Sequence, residues 1–335
     1  IRAAAAVQAP LVIRGGGTKD FYGQAVAGAV LDVTPCAGIV DYDPTELVVT
    51  ARAGTPLADL EQTLRTSGQM LPCEPPHFGA RATLGGAVAV GLSGPRRPYA
   101  GAMRDIVLGV RILDGRGEDL AFGGRVMKNV AGFDLSRVMT GALGTLGVLT
   151  EISLKCVPLP KVEVTRVLEC SVDDALRLTN AWGGKPLPVS ATCHHAGRLA
   201  VRLSGASPAV EAAARQIGGA DLPDGYAFWE GIREQTHAYF AAAHAGGLDT
   251  IAVTDHDSAV GVARARVAAR AAGGPRVVTG LELTCSLDGV EVHLLGYGID
   301  PTHPAIAAFA ERGAALRRAR LGGMVAKLNA LGVRI

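Results

Sequence analysis

The apolar residues in the first part of the chain fall into short runs that glycine and proline separate. Such runs are typical of buried strands, and they occupy residues 11–14, 29–33, 47–52, 105–113 and 148–157. Leucines recur at helical spacing behind a proline, which predicts a helix over residues 56–66. Residues 114–117 (DGRG) predict a hairpin turn. Together these elements predict an α+β domain.

The pattern changes after Pro160. Strand, helix, strand, strand and helix are predicted in that order at residues 162–170, 172–182, 189–193, 199–203 and 208–217. This order predicts a small second α+β layer, separate from the first domain. Strands and helices then alternate at residues 250–253, 260–272, 277–279 and 290–295, and an apolar stripe predicts a helix from Pro304 onward.

Composition narrows the possible classes of protein. The chain has 335 residues, 48% hydrophobic and 19% charged, which predicts about two or three globular domains and excludes a disordered chain. The net charge of +2 argues against a nucleic-acid partner. The longest apolar stretches, such as residues 87–92, are too short for a transmembrane segment. No Cys-x-x-Cys pair occurs among the six cysteines, so we expect no iron–sulfur cluster within the chain and a reducing compartment.

Glycine-dense loops follow several of the strands. Gly15, Gly16 and Gly17 come directly after the first one. Consecutive glycines allow positive φ angles, so successive N–H groups can point into one concavity that binds phosphate oxygens. For a lone triple glycine we would favour a flexible turn, but further loops lie at residues 83–89 and 141–147. Several such loops at distant positions indicate one extended ligand, such as a dinucleotide.

A Rossmann fold is the alternative explanation of the first glycine loop, since Asp32 ends the next strand and could bind a ribose. The three glycines are contiguous, however, and do not give the G-x-G-x-x-G spacing. Residues 20–29 are also too short and too rich in glycine for a crossover helix. We therefore reject a Rossmann fold.

Longer stretches make the pattern more specific. They are residues 10–19 (PLVIRGGGTK), 38–52 (GIVDYDPTELVVTAR), 68–77 (GQMLPCEPPH), 126–137 (VMKNVAGFDLSR) and 144–151 (GTLGVLTE). With these stretches, residues 10–240 resemble the vanillyl-alcohol-oxidase-type flavoproteins, in particular the FAD-binding subunits of bacterial glycolate oxidases. The resemblance implies a two-subdomain, PCMH-type FAD-binding fold with an α+β cap over the flavin.

The resemblance also implies which residues hold FAD. The loop from Arg14 to Lys19 would take the pyrophosphate, and the later loops would line the adenosine and the flavin. The implied residues are Arg14, Gly15, Gly16, Gly17, Thr18, Lys19, Thr83, Leu84, Gly85, Gly86, Ala87, Gly141, Gly144, Thr145, Gly147 and Val148. Thr18 stands where some relatives carry a histidine that links to the flavin, which implies a non-covalent cofactor. His77 has a structural role or a site role, and the sequence assigns no catalytic residue.

Substrate, partners and location follow from the same resemblance. It implies oxidation of a 2-hydroxy acid such as glycolate, together with a second flavoprotein subunit and an iron–sulfur subunit. It also implies a cytoplasmic location, with membrane association through partner subunits as an alternative. The cap of the family continues past residue 240, whereas the similarity in this chain ends there, so substrate recognition is left open.

A second group of polar residues lies near the predicted strands of the last segment. His256 lies where a strand meets a helix, Glu282 follows the strand at 277–279, and His293 lies in the strand at 290–295. Two imidazoles and a carboxylate at successive strand ends suit Zn²⁺, Mn²⁺ or Fe²⁺. The alternative is three unrelated polar residues.

The stretches 245–257 (AGGLDTIAVTDHD), 280–283 (GLEL) and 290–300 (VEVHLLGYGID) make residues 243–335 similar to the polymerase-and-histidinol-phosphatase (PHP) family of metal-dependent phosphoesterases. The resemblance implies His256, Glu282 and His293 as ligands. The His-x-His strand of the family has no counterpart near residues 220–227, and its later ligands would lie beyond Ile335. We therefore expect a truncated αβ-barrel fragment that binds a divalent metal weakly.

Three hypotheses result, and whether the chain is an active enzyme stays open. The first is an FAD-binding domain at 1–157, a truncated cap at 158–240 and a partial PHP-like domain at 241–335, with the flavin part acting on a 2-hydroxy acid. The second is a PHP-type phosphoesterase, which the missing ligands disfavour. The third is a misassembled or artificial join with neither activity intact, which genomic DNA across codons 235–250 would test.

Overall fold

The computed structural model describes residues 1–22, 27–124 and 135–238, then three strands between residues 250 and 297, and the single residues Pro304 and Ala308. The chain divides into two compact units, Ile1–His237 and Ala238–Ile335. Among the described residues, no helix combines the length and the apolar character that crossing a bilayer requires.

A five-stranded antiparallel sheet forms the centre of the first unit. Its strands, in spatial order, are β3 (Ile39–Asp43), β4 (Val48–Arg52), β8 (Val148–Lys155), β6 (Val107–Leu113) and β7 (Asp119–Gly123). The strands expected at 47–52 and 148–157 agree with β4 and with β8 and the short strand β9 (Val157–Pro158). The turn expected at 114–117 joins β6 to β7, where the N–H of Gly117 donates to the carbonyl of Asp114 at 3.0 Å.

Two helices beside this sheet complete its core. In α2 (Leu57–Thr66), Leu57, Leu60 and Leu64 are fully buried, as the leucine spacing predicts. In α3 (Leu84–Val90), the Thr83 hydroxyl caps the first turn by accepting from the N–H of Gly86 at 3.2 Å. The remaining short elements of this region are α1 (Arg2–Ala6), β5 (Gln69–Met70), α4 (Arg97–Ala100), α5 (Met103–Ile106) and α6 (Leu135–Val138).

The strand expected at 105–113 begins two residues late, because α5 occupies Met103–Ile106. The side chain of Asp105 accepts from the N–H of Ala102 at 2.7 Å, which holds the first turn of this helix.

Next to the sheet lies a separate pair of parallel strands, β1 (Leu11–Arg14) and β2 (Ala29–Asp32), with Arg14 opposite Asp32. The rejected Rossmann fold would need a longer parallel sheet with crossover helices. Parallel pairing here is confined to these two strands within residues 1–22, 27–124 and 135–238. The carboxylate of Asp32 caps its own turn by accepting from the Thr34 hydroxyl at 2.8 Å.

A second antiparallel sheet follows Pro160. Its order is β11 (Val189–His195), β12 (Arg198–Gly205), β10 (Val162–Glu169) and β13 (Ala220–Asp221). The helices α7 (Val172–Gly183) and α8 (Ser207–Ile217) bury apolar residues against it and form a second core. The predicted strand and helix order is confirmed, and α9 (Gly225–Arg233) is an addition that the sequence pattern did not show.

Three strands are described in the second unit. β14 (Thr250–His256) runs parallel to β15 (Arg276–Leu287), and β16 (Val290–Tyr297) is antiparallel to β15. The expected strand end before Glu282 is wrong, because β15 continues through it. Residues 281–287 (LELTCSL) alternate apolar and polar positions, which is the strand period. The helix predicted at 260–272 lies outside the described residues, as does most of the helix predicted after Pro304.

Candidate cofactor site

A cavity of about 910 Å³ opens in the first unit where the glycine loops meet. Its walls are β1 and β2, the loop after β1, the start of α3 and the loop before β8. Most of the expected cofactor residues line it, namely Arg14, Gly15, Gly16, Gly17, Thr18, Lys19, Thr83, Gly85, Gly86, Gly144, Thr145 and Gly147. Segments that are distant in the sequence thus meet at one cavity.

Four expected residues lie outside this lining. Leu84 and Ala87 are buried in the core instead, because residues 84–90 form a helix with one side in the core, while Gly85, Gly86, Ala89 and Val90 line the cavity. Val148 begins the buried strand β8. Gly141 follows α6, and its N–H donates to the carbonyl of Val88 at 3.0 Å.

The glycine loop packs directly against residues 81–83. A Cβ atom added to Gly16 would lie 1.5 Å from the carbonyl oxygen of Arg81, and one added to Gly15 would lie 2.4 Å from the Thr83 hydroxyl. Gly17 has φ +74°, in the left-handed region that favours glycine. Glycine is therefore required at Gly15 and Gly16 because a side chain would collide with residues 81–83, and it is favoured at Gly17 by the backbone conformation.

The backbone of this loop leaves a row of donors open. None of the N–H groups of residues 15–19 donates to an acceptor in the part of the chain that the structure describes. Buried or half-buried N–H groups are normally satisfied, so a row of open ones indicates a ligand. Successive N–H groups beside a residue of positive φ form the type of concavity that binds phosphate oxygens.

Lys19 contributes a buried positive charge to the same cavity. Its Nζ donates to the carbonyl oxygen of His77 at 3.1 Å and lies 5.6 Å from the centre of the Phe78 ring. Burial lowers the pKa of Lys19 to about 8, while Glu234 raises it and Arg233 lowers it further. Thr18, which the resemblance placed in the linking position, donates its hydroxyl hydrogen to the same carbonyl at 2.8 Å.

His77 has a structural role in this arrangement. Its backbone faces Lys19, while its ring Nε2 lies 3.3 Å from Oε2 of Glu61, within ion-pair distance. Its ring is not part of the cavity lining.

Several lining residues were not predicted, among them Tyr22, Val30 and Met139, whereas Leu143 lies in the loop that the resemblance placed at the cofactor. These four side chains give the cavity apolar walls that suit a ring system. Three of them, Tyr22, Val30 and Leu143, are exposed apolar side chains, a feature that sequence patterns do not reveal because the pattern treats apolar residues as core.

The expected metal ligands lie on the second unit, where strand register can be compared. His256 pairs with Glu282 across β14 and β15, and His293 pairs with Thr284 across β15 and β16. Cross-strand partners share a face, and so do residues two apart on a strand, so all three positions lie on one face of the sheet. Their side chains lie outside the described part of the structure.

Comparison with known proteins agrees with this site. Residues 1–123 match the family model described as FAD binding domain. Glycolate oxidase subunit GlcE of Escherichia coli (strain K12) is 51% identical over 232 residues, which cover 69% of this chain and 66% of that protein. Glycolate oxidase subunit GlcD of Bacillus subtilis (strain 168) is 32% identical over 158 residues, covering 47% of this chain and 33% of that protein. D-lactate dehydrogenase of Anaerostipes hadrus is 33% identical over 157 residues, which cover 46% of this chain and 32% of that protein.

The fold is also found among solved structures. A structure of alkyldihydroxyacetonephosphate synthase matches with a TM-score of 0.54 at 16% identity, covering 70% of this chain and 53% of that one. The chain spans 66% or less of the length of the three curated relatives named above. Residues 1–123 therefore belong to the family described as FAD binding domain, and the likeness to the solved structure concerns the fold alone.

Proposed function

We propose that the chain is the FAD-binding subunit of an oxidase or dehydrogenase that acts on a 2-hydroxy acid such as glycolate. The observation that carries this proposal is the row of open N–H groups at residues 15–19, all of which line a cavity of about 910 Å³. The 51% identity to a glycolate oxidase subunit supports the substrate class. The chain divides, in this proposal, into an FAD-binding domain at 1–157, a cap at 158–240 and a partial PHP-like domain at 241–335.

FAD supplies the two-electron acceptor that oxidation of an alcohol requires. The N–H groups of the glycine loop would hold its pyrophosphate, with Lys19 as the neighbouring positive charge. Val30, Met139 and Leu143 would pack against ring surfaces and exclude water. The Thr18 hydroxyl is already engaged with His77, and threonine lacks the ring nitrogen that forms a flavin link, so the cofactor is held without a covalent bond.

Partner subunits complete the proposed function. Electrons must leave the reduced flavin, and none of the described cysteines forms a group with histidine or carboxylate residues that could hold a metal. A second flavoprotein subunit and an iron–sulfur subunit would supply that path. The described cysteines are all free thiols, which fits the cytoplasmic location that we propose, with any membrane association through partners.

The proposal is tested first on the cofactor. Acid precipitation of the purified, yellow full-length chain should release FAD to the supernatant. Flavin that stayed with the pellet would contradict non-covalent binding, and a colourless chain that cannot be reconstituted would contradict flavin binding itself. Dye-linked oxidation of glycolate should require co-purified partner subunits. Turnover by the isolated chain at about 1 per second or faster, an ordinary enzymatic rate, would contradict that dependence.

For the second unit, the shared face of His256, Glu282 and His293 favours a divalent-metal site, with zinc, manganese or iron as candidates. Glu282 is directly paired with His256, at about 5 Å between Cα atoms, and diagonal to His293, at about 7–8 Å, so Glu282 lies within reach of an ion shared with either histidine. The two histidines are two strands apart, about 12 Å by strand spacing, which favours weak binding. Hydrolysis by phosphoesterases of the PHP family uses several bridged ions. We therefore propose that the second unit binds one ion weakly and has no phosphoesterase activity. Hydrolysis of a model phosphodiester in excess Mn²⁺ that disappears in His256→Ala would overturn this.

A further inference from the structure

We propose that the end of α9 acts as a latch, formed by Arg233 and Glu234, which fixes the loop 74–79 and thereby positions Lys19 in the cofactor cavity. Lys19 then presents its charge to the pyrophosphate, and Glu234 is a positioning residue that acts through it. This inference rests on the proposed FAD site and deepens it, because Glu234 itself does not line the cavity.

The loop 74–79 cannot hold its shape by itself. Glu74 has φ +46°, Phe78 has φ +53° and Gly79 has φ +129°, so three of its six residues lie in the left-handed region. Two of these three carry side chains, and each such residue costs about 1–3 kcal/mol unless its surroundings impose the conformation. Contacts from outside the loop must therefore maintain it.

The latch supplies those contacts. The two carboxylate oxygens of Glu234 accept from consecutive backbone N–H groups, that of His77 at 2.9 Å and that of Phe78 at 2.6 Å. Arg233 donates from Nε and Nη2 to the carbonyl oxygen of Pro75, at 3.0 and 2.8 Å. Charged groups make the stronger hydrogen bonds to backbone, and both side chains are largely buried.

The loop 74–79 in turn contacts the cavity residues Thr18 and Lys19. His77, whose N–H is held by Glu234, offers its carbonyl to Lys19 Nζ at 3.1 Å and to the Thr18 hydroxyl at 2.8 Å. Phe78 places its ring beside the same ammonium group. Lys19 belongs to the cavity lining and forms no ion pair with any residue that the structure describes, so its charge is available for an anion bound there.

The charged groups around Lys19 come from several elements. Glu234 and Arg233 approach Lys19 from the C-terminal end of α9. His77, whose carbonyl accepts from Lys19, is paired through its ring with Glu61 of α2. The ion pair of Arg14 with Asp20 lies in the same loop as Lys19. A bound pyrophosphate favours the ammonium form, so FAD affinity should fall above about pH 8, by up to about tenfold per pH unit.

The first test measures FAD affinity of the full chain by calorimetric titration at pH 7. Lys19→Met should weaken binding about 10- to 100-fold, the effect of losing one charged hydrogen bond, and should remove the loss of affinity above pH 8. Glu234→Ala should weaken binding at least about fivefold, and the double variant should bind no more weakly than Lys19→Met. Glu211→Ala, an exposed glutamate of α8 that contacts neither the latch nor the cavity lining, is the control and should leave the affinity unchanged. Unchanged affinity in Glu234→Ala, or losses that multiply in the double variant, would overturn the latch.

The second test needs no FAD and keeps the two proposals separable. The pH dependence of amine labelling at Lys19, followed by mass spectrometry with exposed Lys161 as the reference, reports the ammonium group in the apo chain. If Glu234 acted only through its charge, its removal would lower the pKa of Lys19. Release of the loop should instead expose Lys19 and raise its pKa toward the ordinary value. A fall in Glu234→Ala overturns the latch, and a rise supports it, whether or not the chain binds FAD.

A variant that is not folded would answer neither question, so tryptophan fluorescence is recorded for each one. Glu234→Gln serves if Glu234→Ala does not fold. Its amide oxygen accepts from one of the two N–H groups, so the same direction of change with a smaller size is expected, and no change would overturn the proposal.

Discussion

Replacing Arg202 with methionine should destabilise the first unit markedly, because Arg202 is nearly fully buried in a ring of four charges. Its guanidinium donates to Glu74 at 2.8 Å and lies 3.9 Å from Glu163, and Arg96 contacts the same two carboxylates. The Arg202 guanidinium also lies 5.0 Å from the centre of the Trp229 ring. The ring joins β12 and β10 of the second sheet to the beginning of the loop 74–79.

The loss in free energy of unfolding depends on the charged groups that remain after Arg202 is replaced. Breaking a buried ion pair costs about 3–5 kcal/mol, since the remaining charge loses its partner. Glu74 keeps its bond with Arg96 at 2.8 Å, and methionine fills most of the vacated volume, so we expect the lower end, about 3 kcal/mol. At about 2–4 °C per kcal/mol for a unit of this size, the midpoint of thermal unfolding should fall by about 6–12 °C.

Both tryptophans of the chain, Trp182 and Trp229, are buried in this unit, so their fluorescence follows its unfolding. Arg111→Ala is the matched control, because its pair with Asp119 is exposed and its removal should cause no measurable change. Arg202→Met leaves two carboxylates, Glu74 and Glu163, on the single guanidinium of Arg96, so adding Glu74→Gln should recover part of the stability by removing the excess negative charge. An Arg202→Met variant within about 0.5 kcal/mol of the wild type would refute this reasoning.

Three further predictions concern the two sites. Gly16→Val should abolish FAD binding in a fluorescence titration, because its side chain would collide with the Arg81 carbonyl, whereas Gly184→Ala, with open space around it, should bind normally. In the apo chain the free energy of unfolding, measured in urea, should rise by up to about 3 kcal/mol between pH 8 and 10.5 relative to Lys19→Met. In that window the unfolded chain holds a proton that the folded chain has released, since the folded pKa is lowered to about 8 from 10.5. Metal analysis after dialysis should find less than one retained ion per chain, and two tightly held ions would contradict the proposed weak site.

The local spacing of apolar residues was sufficient to predict most strands of the first unit. The strand at Leu11–Arg14, the leucine face of α2 and the strand and helix order after Pro160 all follow from spacing that a few residues define. The glycine loops that line the cavity were also predictable, because phosphate binding by backbone needs residues of that type in consecutive positions.

The elements that local pattern missed depend on tertiary contacts. The helix α3 contains Gly85 and Gly86, which disfavour a helix, but a Cβ at Gly85 would lie 2.8 Å from that of Ala53, so packing requires glycine there. The helix α9 is fixed by Trp229, whose ring N–H donates to the Thr165 hydroxyl at 2.9 Å. Both contacts join residues far apart in sequence.

The surroundings of Lys19 were unpredictable for the same reason. The carbonyl that holds it belongs to a residue 58 positions away, and the carboxylate that fixes that residue lies 157 positions further on. The family resemblance implied Lys19 as a cofactor residue but gave no indication of its burial or of the latch.

Recognition of the phosphates is tested most directly by calorimetric titration of the full chain with FAD and with riboflavin, which lacks the phosphates and the adenosine, together with adenosine alone as the control for the missing adenosine. The N–H groups at residues 15–19 and the charge of Lys19 are the main polar features of the cavity, so recognition should depend on the pyrophosphate. We expect one FAD to bind per chain and riboflavin to bind at least about 100-fold more weakly, the loss expected for several charge-assisted hydrogen bonds. Equal affinity for FAD and riboflavin, or no binding of FAD, would contradict this expectation.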